Sequence, residues 1–568
     1  MSERNAFLFE VAPYHDAGIP VVRHGLGRWR ASLYLLLAVL LSAGIILVPL
    51  CATVIISLTG YDVIGDGQVL QTLGNSLVWL ALAVLVCAVG LGLAWLVRNA
   101  GPVAGRVLRL LLVLPAAVSP LTTGAIFRLL YDTHQRRGLF SAVLGTDVAF
   151  LGPYWIWLVM GSAFVWQWAG VAFLVFHEAL ARLPNNLLRM AKAFGLGRRR
   201  RLSTVVVPAL AGPAALAYLL ALVAAARVFD LVLMGAPGSM QAGVEGGGLF
   251  WWRHHGDLGD GRAAALAVAL SLLVAVLAVP SLAGLRGRAS WSGPASGSSA
   301  REPDRAARRH RRVWVVCAVV AVVWAVPFAV LVVTSLRDPV AATLSGWWSG
   351  GPWTPESYVD VLADAGFVGA LGTTFVRAAV VVGLVLLAAV PAAYVLAHEH
   401  LLPRRAWRPV LLVAVALAAL PPQAFAVPLQ RWLSPVVGTG PALAIVHAAL
   451  VIPLAMLVLH GAFARVATPM LARHRWELFH VVREARPAVV LAGVLAFVLV
   501  WNDTAVGLLL NWPSGDHLPL IQLEQSRHFT SSLGTLAAQS VIATAVPVAV
   551  VALTARLLYR GLTQGVRR

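Results

Sequence analysis

Two acids close long apolar runs: Asp230 in the string RVFD and Asp503 in WND. An ionisable group inside or at the end of a membrane span is costly and marks a functional position by default. Asp230 and Asp503, with Arg227 and Asn502 beside them, can hydrogen-bond a polar solute in a cavity. Arg227 and Asp230 are also three apart, a spacing at which two residues of one helix pair with each other or cap its end. Gln167 and Trp168 offer an amide beside an aromatic face, which suits the same solute, although Trp is equally an interface anchor. Both readings stand for each group.

Other chemistries find little support. A phosphate-binding loop needs Gly-Lys-Ser/Thr, and the one lysine among 44 basic residues, Lys192, lies between Ala191 and Ala193. No ATPase site of that kind is expected. Cys51, Cys87 and Cys317 fall inside apolar runs without metal-ligand spacing and read as small core residues. His398-Glu399-His400 resembles a ligand cluster but sits at a span end with no further ligand nearby. Asp62 and Asp66, four apart in a short loop, would be the acids of a membrane glycosyltransferase, a rival reading that lacks a large outer domain.

The elements that must carry these groups are membrane spans. Of 568 residues 59% are hydrophobic and 12% charged, too few charges to cover a soluble surface of this size. A helix needs about 20 apolar residues to cross about 30 Å of hydrocarbon. Six such stretches lie near 31–58, 74–97, 108–131, 154–180, 205–228 and 263–285, and six more near 313–335, 369–397, 407–429, 441–463, 487–510 and 533–558. Runs of this length mean helices and not the alternating strands of a barrel. The fold class is therefore an all-α polytopic membrane protein with about twelve spans.

The net charge of +20 invites a nucleic-acid reading, which the positions of the charges reject. With the N-terminus inside, alternating inner segments hold 34 of the 44 Lys and Arg, and outer loops seven; Arg128, Arg227 and Arg377 sit near outer span ends. The acids run the other way, 15 outside against nine inside. This is the positive-inside asymmetry and predicts both termini in the cytoplasm. The polar segment 1–30 has no apolar core of a cleavable signal, so the first span must direct insertion.

Residues 286–312, rich in Arg, Ser, Gly and Pro, read as a solvated cytoplasmic linker. It divides the chain into a first domain, 31–285, and a second, 313–568. Each has six spans, a basic cytoplasmic loop between spans four and five, and an acid ending its fifth span. Six is an even number, so the halves start in the same orientation and form parallel repeats about an axis along the membrane normal.

The segment 183–208, LPNNLLRMAKAFGLGRRRRLSTVVVP, places Leu187, Leu188, Met190, Ala191 and Phe194 at roughly helical spacing before Gly195 and Gly197. A short amphipathic helix on the cytoplasmic face can dock in a partner's groove or lie on lipid headgroups with Arg198 to Arg201 as anchors. The stretch resembles the cytoplasmic coupling loop of permease subunits of ATP-binding-cassette importers. Pro184, Ala191, Gly195 and Pro208 fall at the family's spacing, while Arg189 and Phe194 replace its usual glutamate and aspartate.

The resemblance runs along most of the chain. SLTGYD (57–62), LPAAVSP (114–120) and VFDLV (228–232) are similar to the first permease subunit of carbohydrate-uptake importers. GPWTPESYVDVL (351–362), LPPQAFAVPL (420–429), WND (501–503) and GLTQGV (561–566) are similar to the second. It implies two fused permease subunits in a bacterial plasma membrane, an extracytoplasmic solute-binding protein, and a separate ATPase dimer that holds the ATP and Mg. No cofactor is expected in this chain. The second coupling loop, 463–487, keeps Arg475, Trp476, Leu478 and Phe479 but lacks the glycine and the Glu-Ala-Ala stretch. Permeases for ferric iron and thiamine are also fused, and Phe194 before Gly195 suits them. A proton-coupled carrier has the same six-plus-six layout, but the loop VRNAGPVAGRVLR between spans two and three lacks the acid that type carries.

Overall fold

The computed structural model describes residues 28–97, 102–181, 193–195, 197, 200, 204, 207–286, 306–338, 340–341, 351–397, 404–464, 466, 477–526 and 533–564. Among these, nine helices are long and apolar enough to cross a membrane, and twelve if each of three bent helix pairs counts as one span. The chain is a multi-pass α-helical membrane protein.

In the first half the helices are α1 (Trp29–Ser57), α2 (Gly67–Val97), α3 (Pro102–Val113), α4 (Pro120–Leu130), α5 (Ile156–Ala181), α6 (Val207–Ala226), the short α7 (Asp230–Gly235) and α8 (Gly247–Arg286). The second half runs α9 (Ala306–Ser335), α10 (Ala365–Ala397), α11 (Arg404–Ala419), α12 (Ala426–Leu433), α13 (Gly440–Phe463), α14 (Glu477–Glu484), α15 (Arg486–Trp501), the short α16 (Ala505–Leu509), α17 (Leu518–Ser526) and α18 (Leu533–Gln564). Helix α9 begins inside the stretch expected as linker.

The same pairs pack in both halves: α2 on α5 and α6, and α6 on α8; α10 on α13 and α15, and α15 on α18. The repeat read from the loops is thus a repeat of packing. The first span of each half packs on the last span of its own half, α1 on α8 and α9 on α18, and also reaches across to the other half. Ala31 and Ala38 of α1 share a core with Ala378, Val381, Val451 and Ile452, and α1 packs on α10 and α13. Reciprocally, α9 packs on α3 and α4, with the indole N–H of Trp166 donating to Trp324 O at 3.1 Å.

Three expected spans are not continuous. The first half's third span bends by 105° between Ala117 and Pro120, and the second half's by 104° between Ala419 and Pro422. Proline removes a backbone donor and forces its predecessor out of the helical region. Ser119 (ψ 140°) and Pro421 (ψ 147°) are accordingly extended, and the Ser119 hydroxyl caps the new helix by accepting from Thr122 N–H at 3.2 Å. The expected span 487–510 ends at Trp501 and resumes as α16, and it meets α14 at 76°.

Candidate functional site

A broken helix in a membrane frees carbonyls that water cannot satisfy, at a cost of several kcal/mol each if nothing replaces the lost bonds. Side chains replace them here. Gln167 of α5 donates Nε2–H to Val118 O at 2.9 Å. Gly170, one turn on, lets the end of α3 approach, because a Cβ there would collide with the Leu112 carbonyl. Asn502, just beyond α15, donates Nδ2–H to Ala117 O at 3.1 Å. At the other bend Arg227, just beyond α6, donates NH2 hydrogens to Ala418 O and Leu420 O, each at 3.4 Å. Each fifth span therefore ends in a side chain that ties down the broken third span of the opposite half.

The acids lie beside these ties. Asp230, 5% exposed, opens α7, faces Thr504 and lies in the field of Asp503; its Oδ1 has no hydrogen-bond partner among the described residues. Arg227 and Asp230 do not share a helical face, because α6 stops at Ala226, so the expected local pair does not form. Asp503 Oδ2 accepts from Val506 N–H at 3.1 Å and faces His447 Nε2 at 3.0 Å. The Asp503 carbonyl faces His517 Nε2 at 2.6 Å. A carbonyl can only accept, so Nε2 of His517 carries its proton, and Nδ1 accepts from Arg377 NH1 at 3.0 Å. The donors of Arg377 fix the neutral tautomer of a wholly buried histidine.

Five of the six groups singled out around the fifth spans, Gln167, Arg227, Asp230, Asn502 and Asp503, thus meet where the halves join, packed and hydrogen-bonded. Trp168 is half-buried against the first half's core. Sequence reasoning missed Arg377 and His517, placing Arg377 near an outer span end when it is 6% exposed within the core. It also read LPAAVSP and LPPQAF as parts of straight spans, although paired prolines in an apolar run signal a break. Between α2, α6 and α8 lies a small cavity lined by Trp79, Val228, Gly246, Leu270 and Gln423.

Of the coupling-loop residues, Pro184, Leu187, Ala191, Arg475 and Trp476 lie outside the described residues, as do His398 to His400. Gly195 has φ +72° with open space around it, Phe194 beside it is 79% exposed, and Pro208 is exposed at the start of α6. In the second loop Glu477 accepts from Tyr394 O–H at 2.7 Å, fastening α14 to α10. Asp66 caps α2 through Gln68 N–H, and Asp62 pairs with Arg262; both are structural partners. No cluster of three metal-ligating side chains occurs among the described residues.

Nine to twelve spans among the described residues, three of them broken, with ties between the two parts of the chain, make a multi-pass membrane protein. Residues 87–288, about a third of the chain, match the family described as binding-protein-dependent transport system inner membrane component. It is 26% identical over 229 residues to the alpha-glucoside transport system permease protein AglF of Rhizobium meliloti (strain 1021), covering 39% of this chain and 68% of that one. A crystal structure of a bacterial ABC transporter involved in the import of the acidic polysaccharide alginate aligns at 16% identity and a TM-score of 0.35, over 40% of this chain and 81% of its own.

Proposed function

We propose that this chain forms the entire membrane passage of a sugar importer, both permease subunits being fused through the segment 286–312. The observation that carries this reading is the internal repeat: the matched family covers the first half only, yet the second half repeats three of its main helix pairs. A relative that carries alpha-glucosides supports a sugar as solute. In this reading an extracytoplasmic binding protein delivers the sugar, and an ATPase dimer with ATP and Mg docks on the cytoplasmic face. Pro184, Leu187, Ala191, Gly195 and Pro208, with Arg475 and Trp476, supply the docking surface. The chain itself hydrolyses nothing. In this reading the chain sits in a bacterial plasma membrane, and the asymmetry of basic residues supports cytoplasmic termini.

The test is reconstitution of the full chain in proteoliposomes. ATP turnover is expected only after the cognate ATPase is added, and accumulation of maltose or sucrose only when the binding protein is present as well. ATP hydrolysis by the purified chain alone, or sugar uptake without ATP, would overturn the proposal.

A further inference from the structure

Helix α18 carries a group of polar atoms that behave unlike other hydroxyls and amides in this protein. A buried Ser or Thr in a span ordinarily bonds the carbonyl four residues back, as Thr53, Ser76, Ser271 and Thr334 do here. Ser540 and Thr544 do not. Ser540 Oγ, Thr544 Oγ1 and Gln539 Oε1 have no hydrogen-bond partner among the described residues, although the three residues are 1%, 9% and 1% exposed.

They face a definite place. Leu536, one turn before Ser540, shares an apolar cluster with Leu121, Ala125, Met234 and Leu523. Val548, one turn after Thr544, shares another with Ala117 and Val494. Ser540 and Thr544 on the intervening turns therefore stand opposite residues 117–121, the break of the first half's third span. Three more unpartnered buried atoms belong to residues next to or one turn from members of the same cluster: Thr122 Oγ1 beside Leu121, Gln522 Nε2 beside Leu523, and Asp230 Oδ1 one turn before Met234. Buried atoms of this kind, each costing free energy in hydrocarbon, suit a surface satisfied from outside the chain.

The first half has no equivalent. Counted from Gly261 as α18 is counted from Gly534, the matching positions in α8 are Leu266, Ala267 and Ser271. The first two are apolar, and Ser271 is satisfied by Ala267 O at 2.7 Å. The repeat is symmetric in backbone and asymmetric in polarity.

We infer that Gln539, Ser540 and Thr544 of α18, with Gln522, Thr122 and Asp230 opposite, form the wall that binds the solute in transit, and that the solute is a neutral polyhydroxylated molecule. This rests on the importer reading and adds the site and the class. Hydroxyls and amides both donate and accept, matching sugar hydroxyls. The guanidinium groups of Arg227 and Arg377 turn NH2 donors to carbonyls, and Arg377 turns NH1 to His517.

The test is thiol accessibility in the full chain in nanodiscs, with Cys51, Cys87 and Cys317 replaced by Ala and one cysteine introduced as Ser540→Cys, Thr544→Cys or, as control, Ala267→Cys. A small water-soluble methanethiosulfonate should label positions 540 and 544 at least about tenfold faster than position 267, since only a wetted wall exposes its thiols. Maltose should slow labelling at 540 and 544 and glucuronate should not. Labelling no faster than at position 267 would overturn the wall even if the importer still accumulates sugar. Protection by glucuronate alone, or by neither compound, would overturn the neutral class. Failure of the importer reading shows separately, as absence of ATP-driven uptake by the unmodified chain.

Discussion

The side-chain amide of Asn502 donates to the carbonyl of Ala117 at 3.1 Å, joining the end of the second half's fifth span to the break in the first half's third. Arg227 makes the reciprocal tie to Ala418 O and Leu420 O. Because these carbonyls have lost their helical donors, the two residues hold the halves together where each backbone is weakest.

Asn502→Leu keeps the volume and removes the donor, so Ala117 O is left unsatisfied at a cost of about 1–3 kcal/mol. Thermal unfolding of the purified chain in detergent should shift down by several degrees. Arg227→Met should shift it further, since two carbonyls lose their donor. Unchanged melting in both variants would show that the ties contribute nothing to the fold.

Neutralising the acids addresses the energy source. Asp503→Asn still offers an oxygen to Val506 N–H, and Asp230→Asn keeps the shape of the group beside Thr504. If ATP drives transport, each should change uptake only modestly, on the order of one neutral hydrogen bond or a few-fold. A protonophore at constant ATP should leave accumulation intact. Collapse of accumulation with the proton gradient would instead make the buried His447–Asp503 pair the working part of a proton-coupled carrier.

Gly195 tests the docking surface. Its φ of +72° is left-handed, and open space surrounds it, so a substitution there strains the backbone without clashing. Asn tolerates this conformation, whereas a β-branched residue is a steric outlier there. Gly195→Asn should support ATP-driven uptake close to the parent, and Gly195→Val should reduce it severalfold by about 1–2 kcal/mol of strain, with membrane insertion unchanged. A control, Ser298→Asp in the linker, should do neither. Equal loss in all three would mean that the loop has no special part in coupling.

The link from Tyr394 to Glu477 makes a milder prediction. Tyr394→Phe removes the 2.7 Å bond that fastens α14 to α10. Proteolysis in the loop 463–487 should speed up, and transport should fall less than for Gly195→Val. Identical cleavage kinetics would remove Tyr394 from the coupling apparatus.

Much of this arrangement was legible in the sequence, for identifiable reasons. Long apolar runs marked the spans, and the matching order of loops in the two halves anticipated the repeat of packing. Asp230, Asn502 and Asp503 stood out because polar groups are rare at such depth. The bends did not stand out, because Pro115, Pro120, Pro421 and Pro422 sit in runs whose mean hydropathy is that of a straight span. Arg377 and His517 are 140 positions apart and meet only through the fold. The polarity of α18 was hidden differently: Gln539, Ser540 and Thr544 are unremarkable letters until their usual backbone partners prove unused.

The first spans, reaching across the halves, set an order of events during synthesis. Helix α1 leaves the ribosome more than three hundred residues before α10, the helix it finally packs on, has been made. Until then the surface that ends against Ala378 and Val381 has only lipid for company. Helix α9 meets a finished receiving surface on α3 and α4. A nascent chain stopped at the linker would therefore hold an α1 packed on α8 but bare on its other face, and an uncovered first half at once, the state that membrane quality-control proteases recognise. Joining the halves in one chain makes that state brief, because the missing partner is next off the ribosome and already tethered.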